Sequence, residues 1–166
     1  MPLIWRSQRK RSRRNIGVRH REATRIAGAP ILLRVLYRAM TPAADGFPLV
    51  ARSARALGLR VPQDISLDAK GEVLPGSGGM SAAPCSVLKI PNHRRPFGMG
   101  NGATGPRNDR VYSIAFEDVH ERGLFIRPDP KLPFAHAFIE PSSTLAFGLY
   151  EAALQETRPS WRQVWP

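Results

Sequence analysis

"GEVLPGSGGMSAAP" (Gly71–Pro84) is the stretch on which a reading of this fold turns. Four glycines, two serines and two prolines separate the apolar pair Val73–Leu74 from the next apolar cluster, Val87–Ile90. So much backbone freedom suits a phosphate-binding loop, a tight turn or a linker. No Gly-Lys-Ser/Thr follows, so it is not a Walker loop, and it lacks a G-x-G-x-x-G opening a helix directly after a strand. What remains is "GSGGMS", a backbone that a ligand can approach closely, ending on the Ser81 hydroxyl. Composition alone favours a structural turn here.

Working outward, 166 residues with a hydrophobic fraction of 42% suffice for one domain with a true core. Sixteen prolines and 14 glycines predict short elements and many loops rather than a helical bundle. The single cysteine, Cys85, excludes an internal disulfide framework and a cysteine-based zinc cage, and suits a reducing, intracellular setting. No run approaches the roughly 18 apolar residues of a membrane-spanning helix. "APILLRVLY" comes nearest, and Arg34 interrupts it.

The net charge of +12 is unevenly spread. Nine Lys/Arg lie within residues 1–25 against one acid, Glu22, which leaves +4 for the rest of the chain. Such a block of like charge cannot bury enough apolar surface to fold, so residues 1–28 are expected to be a disordered basic leader. The leader lacks the apolar stretch and cleavage site of a secretory signal. Its Arg-rich, acid-poor composition suits a mitochondrial presequence, though the basic residues of Arg9–Arg14 are denser than an amphipathic helix needs. A solvated tail is the plainer reading, and the expected site of action is cytoplasmic, or mitochondrial if the leader is an address.

The folded domain is expected over 29–166. "ILLRVLY" (Ile31–Tyr37) reads as a strand and "MTPAADG" as a turn. "FPLVARSARAL" (Phe47–Leu57) puts Leu49, Val50, Ala54 and Leu57 on one helical face, with Pro48 in the first turn. "SVLKIP" is a short strand candidate ended by Pro91. "FGMGNGATGPRND" (Phe97–Asp109) reads as an exposed, mobile loop between two halves of the fold. Arg110–Phe116, Gly123–Pro128 and Phe134–Pro141 are strand-like, rich in β-branched and aromatic residues. "PSSTLAFGLYEAALQETR" predicts a helix capped by Ser142, Ser143 or Thr144, with Leu145, Leu149, Ala152 and Leu154 on its apolar face. Trp161 and Trp165 imply that the C-terminus packs back on the core. The sum is an α+β fold of about five short strands, one helix after the first and one after the last.

Few residues stand out as chemically useful. His20 lies in the leader, and His93 and His120 read as surface residues. His136, in "FAHAFIE", shares a strand face with Phe134, Phe138 and Glu140 by period-two alternation. A histidine and a carboxylate so placed could meet one ligand, or equally face water as an edge pair. No metal-ligand spacing is apparent. A Ser-His-Asp set can be assembled on paper, but no G-x-S-x-G marks a nucleophile. Arg38, directly after a buried strand, is suited to grip a phosphate or ribose oxygen through its planar fork, and is otherwise an ordinary strand-ending charge.

Taken in order, "LYR" (Leu36–Arg38), "DG" (Asp45–Gly46), "QDISLDAKGEVLPGSGGMS" (Gln63–Ser81), "KIP" (Lys89–Pro91), "FIRPDP" (Phe125–Pro130), "HAFIEP" (His136–Pro141) and "YEAALQETRPSW" (Tyr150–Trp161) form a recognisable series. The series resembles a family of small toxins with an ADP-ribosyltransferase-like, exotoxin A-like fold. Its founding members are bacterial type VI secretion effectors, with homologues in fungal genomes. The resemblance covers roughly residues 31–161 and its specificity lies in the order and spacing of short motifs. It implies two small packed β-sheets, antiparallel or mixed, with flanking helices, pinching a cleft that holds NAD. It further implies an activity that breaks the nicotinamide–ribose bond, to modify a target or deplete NAD. By motif position Arg38 becomes the nucleotide grip, and Gly78, Gly79, Met80 and Ser81 the nicotinamide-pocket segment. His136 falls on the matching late strand, and Glu140 is a carboxylate able to stabilise positive charge on a sugar ring. The glycine-rich stretch is then expected to line a ligand. NAD is the implied substrate, with a protein or nucleic-acid acceptor, an immunity protein as a candidate partner, and a monomeric chain.

Two other readings compete: a basic nucleic-acid-binding module, prompted by the pI near 11.3, and a catalytically inactive, partner-binding protein with the toxin fold. The first is weakened because the basic excess sits in the leader and no aromatic-plus-basic RNA-reading motif is present.

Overall fold

Gly71–Pro84 forms two strands that belong to two different sheets. The computed structural model describes residues 34–166, so the expected leader, His20 and the first residues of the Ile31–Tyr37 strand lie outside the described residues. In chain order the elements are β1 (Val35–Met40), β2 (Ile65–Leu67), β3 (Glu72–Gly78), β4 (Met80–Pro84), β5 (Arg110–Ala115), α1 (Phe116–His120), β6 (Leu124–Pro128), β7 (Ala137–Pro141), β8 (Leu145–Ala146), α2 (Phe147–Glu156) and β9 (Arg162–Trp165). Single 3-10 turns cover Val87–Lys89 and Arg158–Ser160. One sheet has the order β6-β7-β4-β1-β5-β9 and the other β2-β3-β8. The strands pair antiparallel throughout. The class is therefore α+β, with two antiparallel sheets and few helices.

Period-two alternation explains how the larger sheet buries both faces. Leu36 and Met40 of β1, Met80 and Ala82 of β4, and Tyr112 and Ile114 of β5 enter the main core. That core also takes Ile65 and Val73 of the smaller sheet and Tyr150 and Leu154 of α2. On the opposite face Ala39, Ala83 and Val111 pack with Ile90, and Tyr37 and Trp165 lie against them.

The chain crosses from the small sheet to the large one at Gly78–Gly79, where backbones nearly touch. Gly78 has φ +125°, and a Cβ there would stand 2.4 Å from the Asp64 carbonyl oxygen. At Gly79 a Cβ would stand 2.4 Å from the Ile139 carbonyl oxygen. Only glycine fits either place. The expectation that this stretch is a turn or a ligand-lining loop is corrected for these two residues: close backbone packing sets them.

Three local expectations also change. Phe47–Leu57 is not a helix but a series of bends, because its carbonyls are taken by distant partners. Thr41 N–H donates to Arg55 O at 2.7 Å, Leu57 N–H to Leu49 O at 2.8 Å, and the Arg38 guanidinium reaches Ala54 O. "SVLKIP" is a 3-10 turn, its Ser86 hydroxyl accepting from Leu88 N–H at 3.2 Å. The last helix starts at Phe147, and the expected caps Ser142–Thr144 instead lead into β8. Its buried face carries Tyr150 and Leu154, whereas Leu149 is 65% exposed. Tyr150 can go inside because its hydroxyl donates to Ile139 O at 2.6 Å and accepts from Met80 N–H at 3.2 Å.

Other expectations match. β5 and β6 lie where alternation put them, and Phe97–Asp109 is irregular. Trp161 is buried, its indole N–H donating to Thr157 Oγ1 at 3.0 Å, and β9 closes the sheet edge on β5. Among the described residues no helix is long and apolar enough to cross a membrane.

Candidate functional site

The larger sheet has a weak seam. β1 pairs with β5 over six positions, from Val35↔Ala115 to Met40↔Arg110. With β4 it pairs only at Leu36↔Pro84 and Tyr37↔Ala83. Beyond those pairs the Arg38 side chain fills the gap. Its Nη1 donates to Ser81 O, and its Nη2 to Ala54 O at 3.1 Å and Ala56 O at 3.5 Å.

A cavity of about 510 Å³ opens along this seam. Tyr37–Ala39 and Met80–Ala83 form one wall, and segments around Lys89–Arg94 and Asp129–His136 form the others. The volume falls in the usual range for ligand sites, about 300–1,000 Å³. Its strand residues come from β1 and β4 of the larger sheet alone, and Ala54, Arg60 and Asp64 complete the lining from loops.

Arg38 is 8% exposed and has no carboxylate in salt-bridge contact among the described residues. Its Nε makes no hydrogen bond. Burial, and then the nearby charge of Arg94, push its pKa down to about 10. Burial thus penalises this cation, and the nearby Asp64 carboxylate offsets the penalty only in part. Arg94 donates to Ala54 O and is likewise unpaired with any acid, its pKa lowered mainly by burial. The side chain of Lys89, a half-buried residue, has no hydrogen-bond or ion-pair partner among the described residues. The two cavity carboxylates are already engaged. Arg60 Nη2 holds Asp64 at 2.8 Å, and His136 Nδ1 lies 2.8 Å from Asp129 Oδ2. The cavity thus keeps an excess of positive charge.

His136 precedes β7 rather than lying within it. Ala135 and His136 N–H both donate to Leu132 O at 2.9 Å, so the start of the expected Phe134–Pro141 strand is a turn, in which Phe134 is 79% exposed. Asp129 organises that turn: Lys131 N–H donates to its Oδ1 at 2.9 Å, and Asp129 N–H donates to His136 O at 3.0 Å. The Lys131 amide and then His136 hold the Asp129 carboxyl below the usual range, so it is ionised. An ionised carboxylate only accepts, hence Nδ1 of His136 carries a proton, and in the neutral ring this tautomer puts the lone pair on Nε2. The imidazole packs edge-on against Phe138, with centroids 4.6 Å apart.

Of the nominated residues, Arg38, Met80, Ser81 and His136 all line this one cavity. Gly78, Gly79 and Glu140 do not. Glu140 does follow His136 and Phe138 along one face, but Phe138 and Arg127 stand between the carboxylate and the imidazole. Arg127 lies over the Phe138 ring at 4.8 Å and donates from Nε to Glu140 Oε1 and Oε2 at 3.0 and 2.9 Å. Gly76 N–H donates to Oε2 at 3.2 Å. The site role expected of Glu140 is therefore replaced by a structural one, since its oxygens are committed to a buried ion pair. Arg38 is also altered: most of its fork braces the seam, leaving its charge rather than free donors to the cavity.

Lys89, Arg94 and Asp129 went unnoticed as site residues, although "KIP" and "FIRPDP" contain two of them. Their signal was weak, an acid or base inside a proline-bounded turn. His93 is exposed as expected, at the cavity rim, and His120 is exposed at the end of α1. Among the described residues no cluster of His, Cys, Asp and Glu could hold a metal. Comparison with protein-family models, with curated proteins and with solved structures gave no match.

Proposed function

We propose that the seam cavity binds NAD, and that the chain is a cytotoxic protein of the ADP-ribosyltransferase-like class acting inside cells by breaking the nicotinamide–ribose bond. The observation that carries this reading is the buried Arg38 in the wall of a cavity with two further cations, Lys89 and Arg94, none of the three in an ion pair among the described residues. A pyrophosphate supplies the missing negative charge, and fixed cations are worth most where water is excluded. The apolar backbone wall of Ala82 and Ala83 suits a flat ring, and the Ser81 hydroxyl, which makes no hydrogen bond to protein among the described residues, suits a ribose or carboxamide. Support comes from Arg38 of "LYR", Met80 and Ser81 of "GGMS", "KIP" and His136 of "HAFIEP", which line one cavity. The carboxylates that line the cavity are Asp64, paired with Arg60, and Asp129, paired with His136, whereas Glu140 does not line it.

The test is expression in a host cell with growth as the readout, alongside NAD binding by calorimetry. Toxicity and binding lost together in a folded Lys89→Ala/Arg94→Ala variant support the reading. Growth arrest that survives this change and Ser81→Ala, with no NAD bound, removes it and leaves a partner- or nucleic-acid-binding protein.

A further inference from the structure

The cavity holds an acid–base device that NAD binding alone does not need. His136 lines the cavity and is fixed by Asp129 through Nδ1, so in its neutral form Nε2 is the ring nitrogen free to take a proton. Ser81 shares the cavity and stands opposite Phe138 in the β4–β7 register, and His136 lies two residues before Phe138 on the same face. No hydrogen bond joins the Ser81 hydroxyl to the imidazole, so the base is not committed to a serine nucleophile. A small molecule between the base and the ribose is then the natural proton donor, and water is the smallest.

We infer that the ADP-ribosyl acceptor is water, deprotonated by His136 with Asp129 as its positioning residue, which makes the chain an NAD glycohydrolase. The inference rests on the NAD reading above and specifies what that reading left open. The water oxygen forms a bond to C1′ of the nicotinamide-bearing ribose as the C1′–N bond breaks. The electron pair of that bond goes to the pyridine nitrogen, and nicotinamide leaves neutral. The water proton goes to Nε2 of His136, and the imidazolium is stabilised by the Asp129 carboxylate. The products are ADP-ribose, nicotinamide and one proton, with no oxidant or further reactant required.

Asp129→Asn is the decisive variant. Asparagine keeps the Oδ1 acceptor for Lys131 N–H, so the turn persists. Its amide donates where the carboxylate accepted, so Nδ1 must become the acceptor and the proton moves to Nε2. A purely structural Asp129 therefore tolerates the change, whereas a base-positioning Asp129 does not. The experiment incubates the full chain with NAD in ¹⁸O-labelled water and measures products, kcat, KM and calorimetric NAD affinity.

The expected result is ADP-ribose carrying the water oxygen, with kcat reduced about 100-fold or more in Asp129→Asn and His136→Gln. NAD affinity stays within about twofold in both, because neither residue supplies the phosphate charge. Added imidazole restores turnover to His136→Ala, which covers a loss caused by side-chain deletion rather than misfolding. If wild-type protein binds NAD but its ADP-ribosyl group appears on protein or nucleic acid without water oxygen, the water inference falls and the NAD site stands. Full kcat in folded Asp129→Asn also overturns it. If wild-type protein binds no NAD, both readings fall together.

Discussion

Nη1 of Arg38 donates to the carbonyl oxygen of Ser81, across the seam where β1 and β4 stop pairing. One side chain thereby keeps two strands of a single sheet apart and completes the hydrogen bonding that the missing ladder leaves open. The arginine props the cavity open and charges its wall at once.

That charge is a cost to the empty fold. Arg38 has a folded pKa of about 10, below its ordinary value, so the unfolded chain binds the proton more tightly. The sign follows: this group's penalty is fully present at neutral pH and is relieved as pH rises through about 10. An anion beside it relieves the same penalty at neutral pH. Inorganic pyrophosphate is expected to raise the melting temperature at low salt, and less so at high salt. The Lys89→Ala/Arg94→Ala variant should show little of this shift in calorimetry.

Glu140→Gln separates scaffold from chemistry. Removing the charge leaves Arg127 without its acid in a largely buried pair, at a cost of about 3 kcal/mol. Denaturant unfolding should register that loss, while NAD affinity of the folded fraction stays near wild type. A Glu140→Gln protein of normal stability that has lost only NAD turnover would return the carboxylate to the site.

Gly79→Ala tests why the glycine-rich stretch is glycine-rich. Its new methyl would meet the Ile139 carbonyl at 2.4 Å, and backbone cannot move aside cheaply. The expected loss is about 1–3 kcal/mol in chemical denaturation. Gly76→Ala, with open space around it but φ +87°, should cost about 1 kcal/mol from backbone strain alone. Equal, negligible effects would contradict the packing account.

Acid should loosen the ties of the depressed carboxyls, Asp129 and Asp45 among them. Asp129 is held below the usual carboxyl range by the Lys131 amide and His136, and Asp45 by Arg158. A depressed carboxyl contributes stability above its unfolded pKa, near 3.8, and loses it as pH falls through the folded value. Unfolding free energy is therefore expected to drop below about pH 4. Arg158→Ala should make the curve shallower by removing the Asp45 share, in a urea titration across pH.

The α+β class, the strands β5 and β6, the returning C-terminal tryptophans and the shared face of His136, Phe138 and Glu140 were legible in the sequence. Each depends on short-range periodicity or on proline and glycine punctuation, which neighbouring residues alone decide. Arg38, Met80, Ser81 and His136 were also readable as candidates, and they do meet in one cavity. Tertiary structure alone decided what they meet. The failed helix at Phe47–Leu57 has carbonyls taken by Arg38 and Thr41, and Tyr150 turns the last helix by bonding Ile139. Glu140 is drawn out of the site by Arg127, and Asp129 is brought into it by His136. "GEVLPGSGGMSAAP" belongs to both sides of this division. Its glycines announced an unusual backbone, but only the approach of Asp64 and Ile139 makes it a crossing between sheets, because a close contact is a property of two segments and a sequence pattern of one.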